Sequence, residues 1–123
     1  MKTERRFVIP SPSTAIVSGP SYGFEGGVLA LRFTLDDDGR RRDCELRFSR
    51  ARAVQHRVES FCQPWQVEVA YDTLVEVLDS QWVEDLREAA RAKGRDCWPI
   101  SHFVIYLDSF GCLEVVAETA EMV

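Results

Sequence analysis

HFVIYLDSFGCLEVVAE, residues 102–118, decides the fold of this 123-residue chain. Two apolar runs flank Asp108-Ser109-Phe110-Gly111, which has the chemistry of a type I turn closed by a glycine at positive φ. A hairpin about that turn sets Asp108 opposite Cys112, Tyr106 opposite Glu114, Val104 opposite Val116 and His102 opposite Glu118. Side chains alternate across a strand, so these residues share one face. The other face, Phe103, Ile105 and Leu107 against Leu113, Val115 and Ala117, is wholly apolar and needs a core to cover it. The polar ladder reads as the wet face of a sheet. It is also the place to look for a ligand or a partner, through His102, Tyr106, Asp108, Glu114 and Glu118.

A second hairpin lies upstream in VLALRFTLDDDGRRRDCELRF, residues 28–48. Asp38-Gly39 suits a two-residue type I′ loop, and this pairs Phe33 with Cys44, Leu31 with Leu46 and Leu29 with Phe48 on one face. Arg32 with Glu45 and Thr34 with Asp43 fall on the opposite face, which suits solvent. A slip of one residue would break both matches, so the register is well specified.

The remaining elements follow from periodicity and punctuation. ARAVQHRVES continues as a strand with Val54, His56 and Val58 turned to the core, where His56 reads as a hydrogen-bonded core histidine. After Pro64, WQVEVAY alternates as a strand through Val67, Val69 and Tyr71, and TLVEVL reads as a short strand, with a helical turn as the alternative. SQWVEDLREAARAKG is the one clear helix, near residues 80–93. Ser80 caps its first turn, Glu84 and Asp85 suit its positive end, and Lys93-Gly94 stop it. Trp82, Leu86 and Ala90, flanked by Val83 and Ala89, form its apolar stripe. Residues 1–27, rich in Ser, Pro and Gly, read as an irregular N-terminal arm, with at most a short strand near Ala15 to Ser18, before a single domain over residues 28–123. The expected architecture is α+β: a mostly antiparallel sheet of about six strands with one main helix.

Charge is uneven along the chain, whose net formal charge is −5. Residues 40–57 hold seven arginines against Asp43 and Glu45, whereas residues 58–123 hold 13 acids against four bases. Arg47, Arg50, Arg52 and Arg57 belong to this basic ribbon. Only Phe48 interleaves with it, on the core face, and the rest of the chain is acidic, so nucleic acid is not the expected partner. No apolar run is long enough to span a bilayer, and the start lacks the apolar segment of a secretion signal. Four cysteines with no CxxC pair suit reduced thiols, which points to a cytoplasmic protein.

Signatures of particular chemistries are missing. No spacing resembles a zinc site, and neither a phosphate loop nor a nucleophile elbow is present, so no metal or cofactor is expected. Cys112 and His102 share a face but stand several rungs apart, and Cys62 and Cys97 fall in loops. The acid–base candidates are the pairs His102 with Glu118 and Tyr106 with Glu114. Trp65 and Trp98, each beside a proline, pack over loop edges or, if exposed, serve as anchors for a protein partner.

AYDTLVEVLDSQWVEDL (70–86) and HFVIYLDSFGCLEVVAE (102–118) resemble segments of a family of small uncharacterised bacterial proteins. That family shares a Tyr-Asp-Thr strand, a Trp-bearing helix start and an Asp-Ser-x-Gly hairpin. The resemblance covers about the C-terminal half, and its motifs imply structure rather than catalysis. In composition the chain also resembles immunity proteins that neutralise bacterial toxins. The expectation is therefore a non-enzymatic interaction module that offers its acidic sheet face, or the arginine ribbon, to a protein partner. The alternative is a small-molecule binding protein or minor enzyme with a site around His102 and Glu118. A homodimer is compatible with either.

Overall fold

The hairpin over residues 28–48 forms as its alternation requires. In the computed structural model, which describes residues 1–94 and 99–123, strands β3 (Val28–Asp37) and β4 (Arg40–Ser49) pair antiparallel. Phe33 faces Cys44, Leu31 faces Leu46 and Leu29 faces Phe48. The turn uses left-handed backbone at Asp38 and Gly39, with φ of 55° and 87°. Leu29, Leu31, Leu46 and Phe48 are fully buried, each stabilising the fold by about 1.5–3 kcal/mol relative to exposure. Arg32 pairs with Glu45 on the outer face, and Thr34 donates to Asp43 at 2.8 Å.

Around this hairpin the described residues build nine strands and two α-helices. Strands β1 (Thr3–Val8) and β2 (Ile16–Glu25) precede it. After it come β5 (Ala53–Arg57), α1 (Pro64–Ala70), β6 (Thr73–Val77), α2 (Gln81–Arg91), β7 (Ser101–Leu107), β8 (Gly111–Ala117) and β9 (Thr119–Met122). One sheet has the order β2-β3-β4-β9 and the other β1-β6-β7-β8-β5, and every paired strand is antiparallel. The chain is thus a single α+β domain, with more strands than the six expected. No helix among the described residues is long and apolar enough to cross a membrane.

The layers follow from which strands are apolar on both sides. Leu29, Leu31, Leu46 and Phe48 of the four-stranded sheet pack against Phe103, Ile105, Leu107, Leu113 and Val115 of the five-stranded sheet. On the far side of that second sheet, Val75, Val77, Val104, Tyr106 and Cys112 form a smaller core with Ala70 and Trp65 of α1. Strands β7 and β8 are therefore buried on both faces, like the middle layer of three. That is why HFVIYL and CLEVVA read as nearly continuous apolar runs.

Four expectations need correction. Residues 1–27 are not an irregular arm, because β1 and β2 occupy most of them as outer strands of the two sheets. Their Ser, Pro and Gly content reflects exposure and bulges, and the β2–β3 register shifts twice between Ile16 and Ser21. WQVEVAY is not a strand but helix α1. Pro64 occupies its first turn, the Gln66 side chain accepts from the Gln63 N–H at 2.7 Å, and Gln66 and Ala70, four apart, turn inward. Val58 lies beyond β5 and is exposed, while His56 is half-buried and its Nε2 contacts the Phe110 carbonyl at 2.9 Å.

The fourth correction is the β7–β8 register. Tyr106 faces Cys112, Val104 faces Glu114 and His102 faces Val116, a slide of two residues from the expected pairing. The three-residue loop begins one position earlier, at Asp108, and Leu107 pairs with Gly111. Gly111 has φ of 100°, and a Cβ there would lie 2.1 Å from the Arg57 carbonyl oxygen, so β5 passes where only glycine fits. A slide of two preserves the faces, so His102, Val104 and Tyr106 still share one side with Cys112, Glu114 and Val116.

Candidate functional site

The polar side of the hairpin is buried. His102 and Glu114 are each 7 % exposed, because α1 and α2 lie over this face of the five-stranded sheet. The expectation of a solvated ladder fails for a reason visible in the same stretch: Val104, Cys112 and Val116 alternate with the polar residues, and apolar side chains on both faces demand two covers.

Within this layer four polar side chains make one continuous chain. His102 Nε2 lies 2.8 Å from Glu114 Oε1, a diagonal contact set by the register. Gln66 Nε2, from α1, donates to Glu114 Oε2 at 2.8 Å. Ser80 Oγ, at the start of α2, lies 2.8 Å from His102 Nδ1 and accepts the Val83 N–H at 3.2 Å. Trp82 sets its ring against the His102 ring, edge to face at 5.1 Å. A carboxylate only accepts hydrogen bonds, so the proton of neutral His102 sits on Nε2, and Nδ1 accepts from the Ser80 hydroxyl. With this tautomer each of the four side chains has a hydrogen-bond partner of the right kind.

Two clefts meet the chain at Ser80 and His102. One, about 410 Å³, is walled by Glu76, Asp79, Gln81, Glu84, Arg87 and Ser101. The other, about 260 Å³, is walled by Trp65, Val77 and Trp82. The charges of the first are mostly committed: Arg6 pairs with Glu76, and Arg87 contacts Glu84 at 3.1 Å. The Lys2 backbone N–H, at 2.8 Å, holds the Asp79 carboxyl below its usual range. A cleft of about 480 Å³ over the outer face of the four-stranded sheet is larger, but Arg32, Glu45, Thr34 and Asp43 there already bond one another. It holds no histidine, so the Ser80–His102 clefts carry the stronger case.

The other expected site residues are dispersed. Tyr106 stacks on Tyr71 at 5.6 Å and donates to Glu59 at 3.0 Å. Burial first, then that carboxylate, pushes its hydroxyl up to about 12. Asp108 sits at the turn, its N–H donating to Ser13 Oγ at 2.8 Å. Glu118 follows β8 and accepts from Arg52 at 3.1 Å, with Arg50 at 3.7 Å, so it stands with the basic ribbon and not with His102. Arg47 pairs with Glu45 on the outer face of β4, and Arg57 faces Cys112 from β5. Arg47 and Arg57 therefore lie on strands of different sheets, while Arg50 and Arg52 share the Glu118 carboxylate.

Among the described thiols, burial raises Cys44, Cys62 and Cys112, which disfavours the thiolate each would need as a nucleophile. Cys97 and Trp98 lie outside the described residues. No group of three or more metal-ligating side chains occurs among the described residues.

The sequence reading missed Ser80 and Gln66 as site members. Ser80 was legible only as a helix cap, and Gln66 lay in a segment read as a strand. No family model, curated protein or solved structure matches this chain.

Proposed function

We propose that this protein binds a small molecule in the clefts at Ser80 and His102 and exchanges a proton with it through His102. The supporting observation is the buried, oriented pair of His102 and Glu114, joined to Ser80 at the wall of both clefts. Buried polar groups cost desolvation free energy, and apolar residues would dock α1 and α2 at least as well. A few convergent polar groups at a cleft wall are what small-molecule sites use to orient a ligand. The volume of about 410 Å³ falls within the roughly 300–1,000 Å³ of small-molecule sites.

The test is amide and indole NMR of the isotopically labelled protein against a panel of small polar fragments. Binders should shift Trp82, Ser101 and His102 together. Binders that shift only the outer face of the four-stranded sheet, or a panel that shifts nothing, would remove this reading.

A protein partner is the second reading, and it needs a different surface from the one expected. The acidic hairpin face is covered, whereas Glu84, Asp85 and Glu88 of α2 are exposed to solvent. Charge reversal at Asp85 and Glu88 should abolish capture of a stoichiometric partner in native mass spectrometry. Unchanged capture would exclude α2 as its surface.

A further inference from the structure

The same cluster supports a chemical step, which rests on the small-molecule reading above. We propose that Ser80 is an acyl-accepting nucleophile and that the protein cleaves small carboxylic esters with an apolar acyl group and a polar alcohol. A serine hydroxyl attacks a carbonyl only when a base takes its proton and a third group orients that base. Here Nδ1 of His102 faces the hydroxyl at 2.8 Å, Glu114 holds the opposite ring nitrogen at 2.8 Å, and Gln66 holds the second carboxylate oxygen. The ring is reversed relative to chymotrypsin-like enzymes, in which Nε2 faces the serine. Either ring nitrogen serves as base while the other is anchored as a donor.

The helix supplies the remaining part. The Val83 N–H bond fixes Ser80 Oγ over the start of α2. The N–H groups of Gln81 and Trp82, in the first turn, have no acceptor within the helix. An acyl group on Ser80 Oγ would place its carbonyl oxygen beside them, and there they would stabilise the developing negative charge.

In the forward step the Ser80 Oγ–carbon bond forms as the hydroxyl proton passes to Nδ1, and Glu114 stabilises the imidazolium. Collapse breaks the bond to the alcohol, which leaves with the proton from Nδ1. Water then adds to the acyl-serine, giving its proton to Nδ1. The second collapse frees the carboxylic acid and returns that proton to Ser80 Oγ. Ester and water become acid and alcohol, with no oxidant or metal in the balance. The clefts divide the substrate: the walls of Trp65, Val77 and Trp82 suit a short apolar acyl group, and the larger polar cleft suits the alcohol.

The test is incubation of the folded, full chain with a fluorophosphonate, read by intact mass and peptide mapping. The expected result is one phosphonyl adduct, on Ser80. Glu114→Gln, which preserves the hydrogen-bonded chain but makes Nδ1 a donor, should slow labelling at least about a hundredfold. Butyryl p-nitrophenyl ester should turn over faster than its palmitoyl counterpart. No adduct on the folded wild type, an adduct on another residue, or equal labelling of Glu114→Gln would overturn the proposal. Fragment shifts at Trp82 and His102 without any adduct would remove the nucleophile and leave the binding site. Silence in both experiments would remove both.

Discussion

Glu114→Gln and Glu114→Leu should differ sharply in stability although both remove the same charge. In the native protein the two carboxylate oxygens accept from His102 Nε2 and Gln66 Nε2, each at 2.8 Å. Leucine accepts nothing, so two buried donors lose their partners at about 1–3 kcal/mol each, or about 2–6 kcal/mol together. Glutamine retains one acceptor for Gln66 and presents an amide N–H to His102. The imidazole can then move its proton to Nδ1, accept at Nε2 and donate to Ser80 Oγ, which releases only the Ser80 hydroxyl proton, at the wall of the two clefts. The loss of charge-assisted hydrogen bonds is offset by the smaller desolvation cost of a neutral amide. Glu114→Gln should therefore stay within about 1 kcal/mol of wild type by urea denaturation. Glu114→Leu should lower Tm by roughly 8–24 °C, taking about 4 °C per kcal/mol. The decisive assay is imidazole 15N NMR, where the protonated nitrogen should change from Nε2 in wild type to Nδ1 in Glu114→Gln. Equal destabilisation by the two variants, or an unchanged tautomer, would refute the proton assignment on which the site depends.

Further outcomes follow from other parts of the structure. Gly111→Ala should cost at least about 3 kcal/mol or prevent folding, because a Cβ meets the Arg57 carbonyl at 2.1 Å and φ is 100°; chemical denaturation measures this. Glu118→Gln should change stability by less than about 1 kcal/mol and leave the His102 ring resonances in place, because Glu118 pairs with arginines at the surface. A large shift at His102 would put Glu118 back in the site. The Tyr106 hydroxyl, raised from 10.0 to about 12, favours its protonated form in the folded state. That contribution is complete below pH 10 and is lost as pH rises towards 12; an absorbance titration should show a late step that disappears in Tyr106→Phe.

Legibility differed from element to element. The β3–β4 hairpin was readable to the residue, because a two-residue Asp-Gly turn admits one register and a slip turns every apolar side chain outward. Helix α2 was readable for a similar reason: Ser80, the acids of its first turn and the Trp82–Leu86–Ala90 stripe all agree. Helix α1 was not, since Val67, Glu68 and Val69 alternate like a strand while the Pro64 start and the Gln63–Gln66 bond favour a helix. In seven residues periodicity carries too little weight to arbitrate.

The candidate site divides along the same line. Alternation alone assigned His102, Tyr106, Cys112 and Glu114 to one face of β7 and β8, and that assignment survives a register slide of two. Alternation says which side chains share a face, and nothing about what covers it or which diagonal neighbours touch. Whether Glu114 or Glu118 meets His102 depended on the β7–β8 register, which alternation leaves free to slide by two residues. Whether the face met water or protein depended on where α1 and α2 docked. Burial is a property of non-local packing, so only the tertiary structure could turn a helix cap, a strand histidine and two side chains from elsewhere into one connected group.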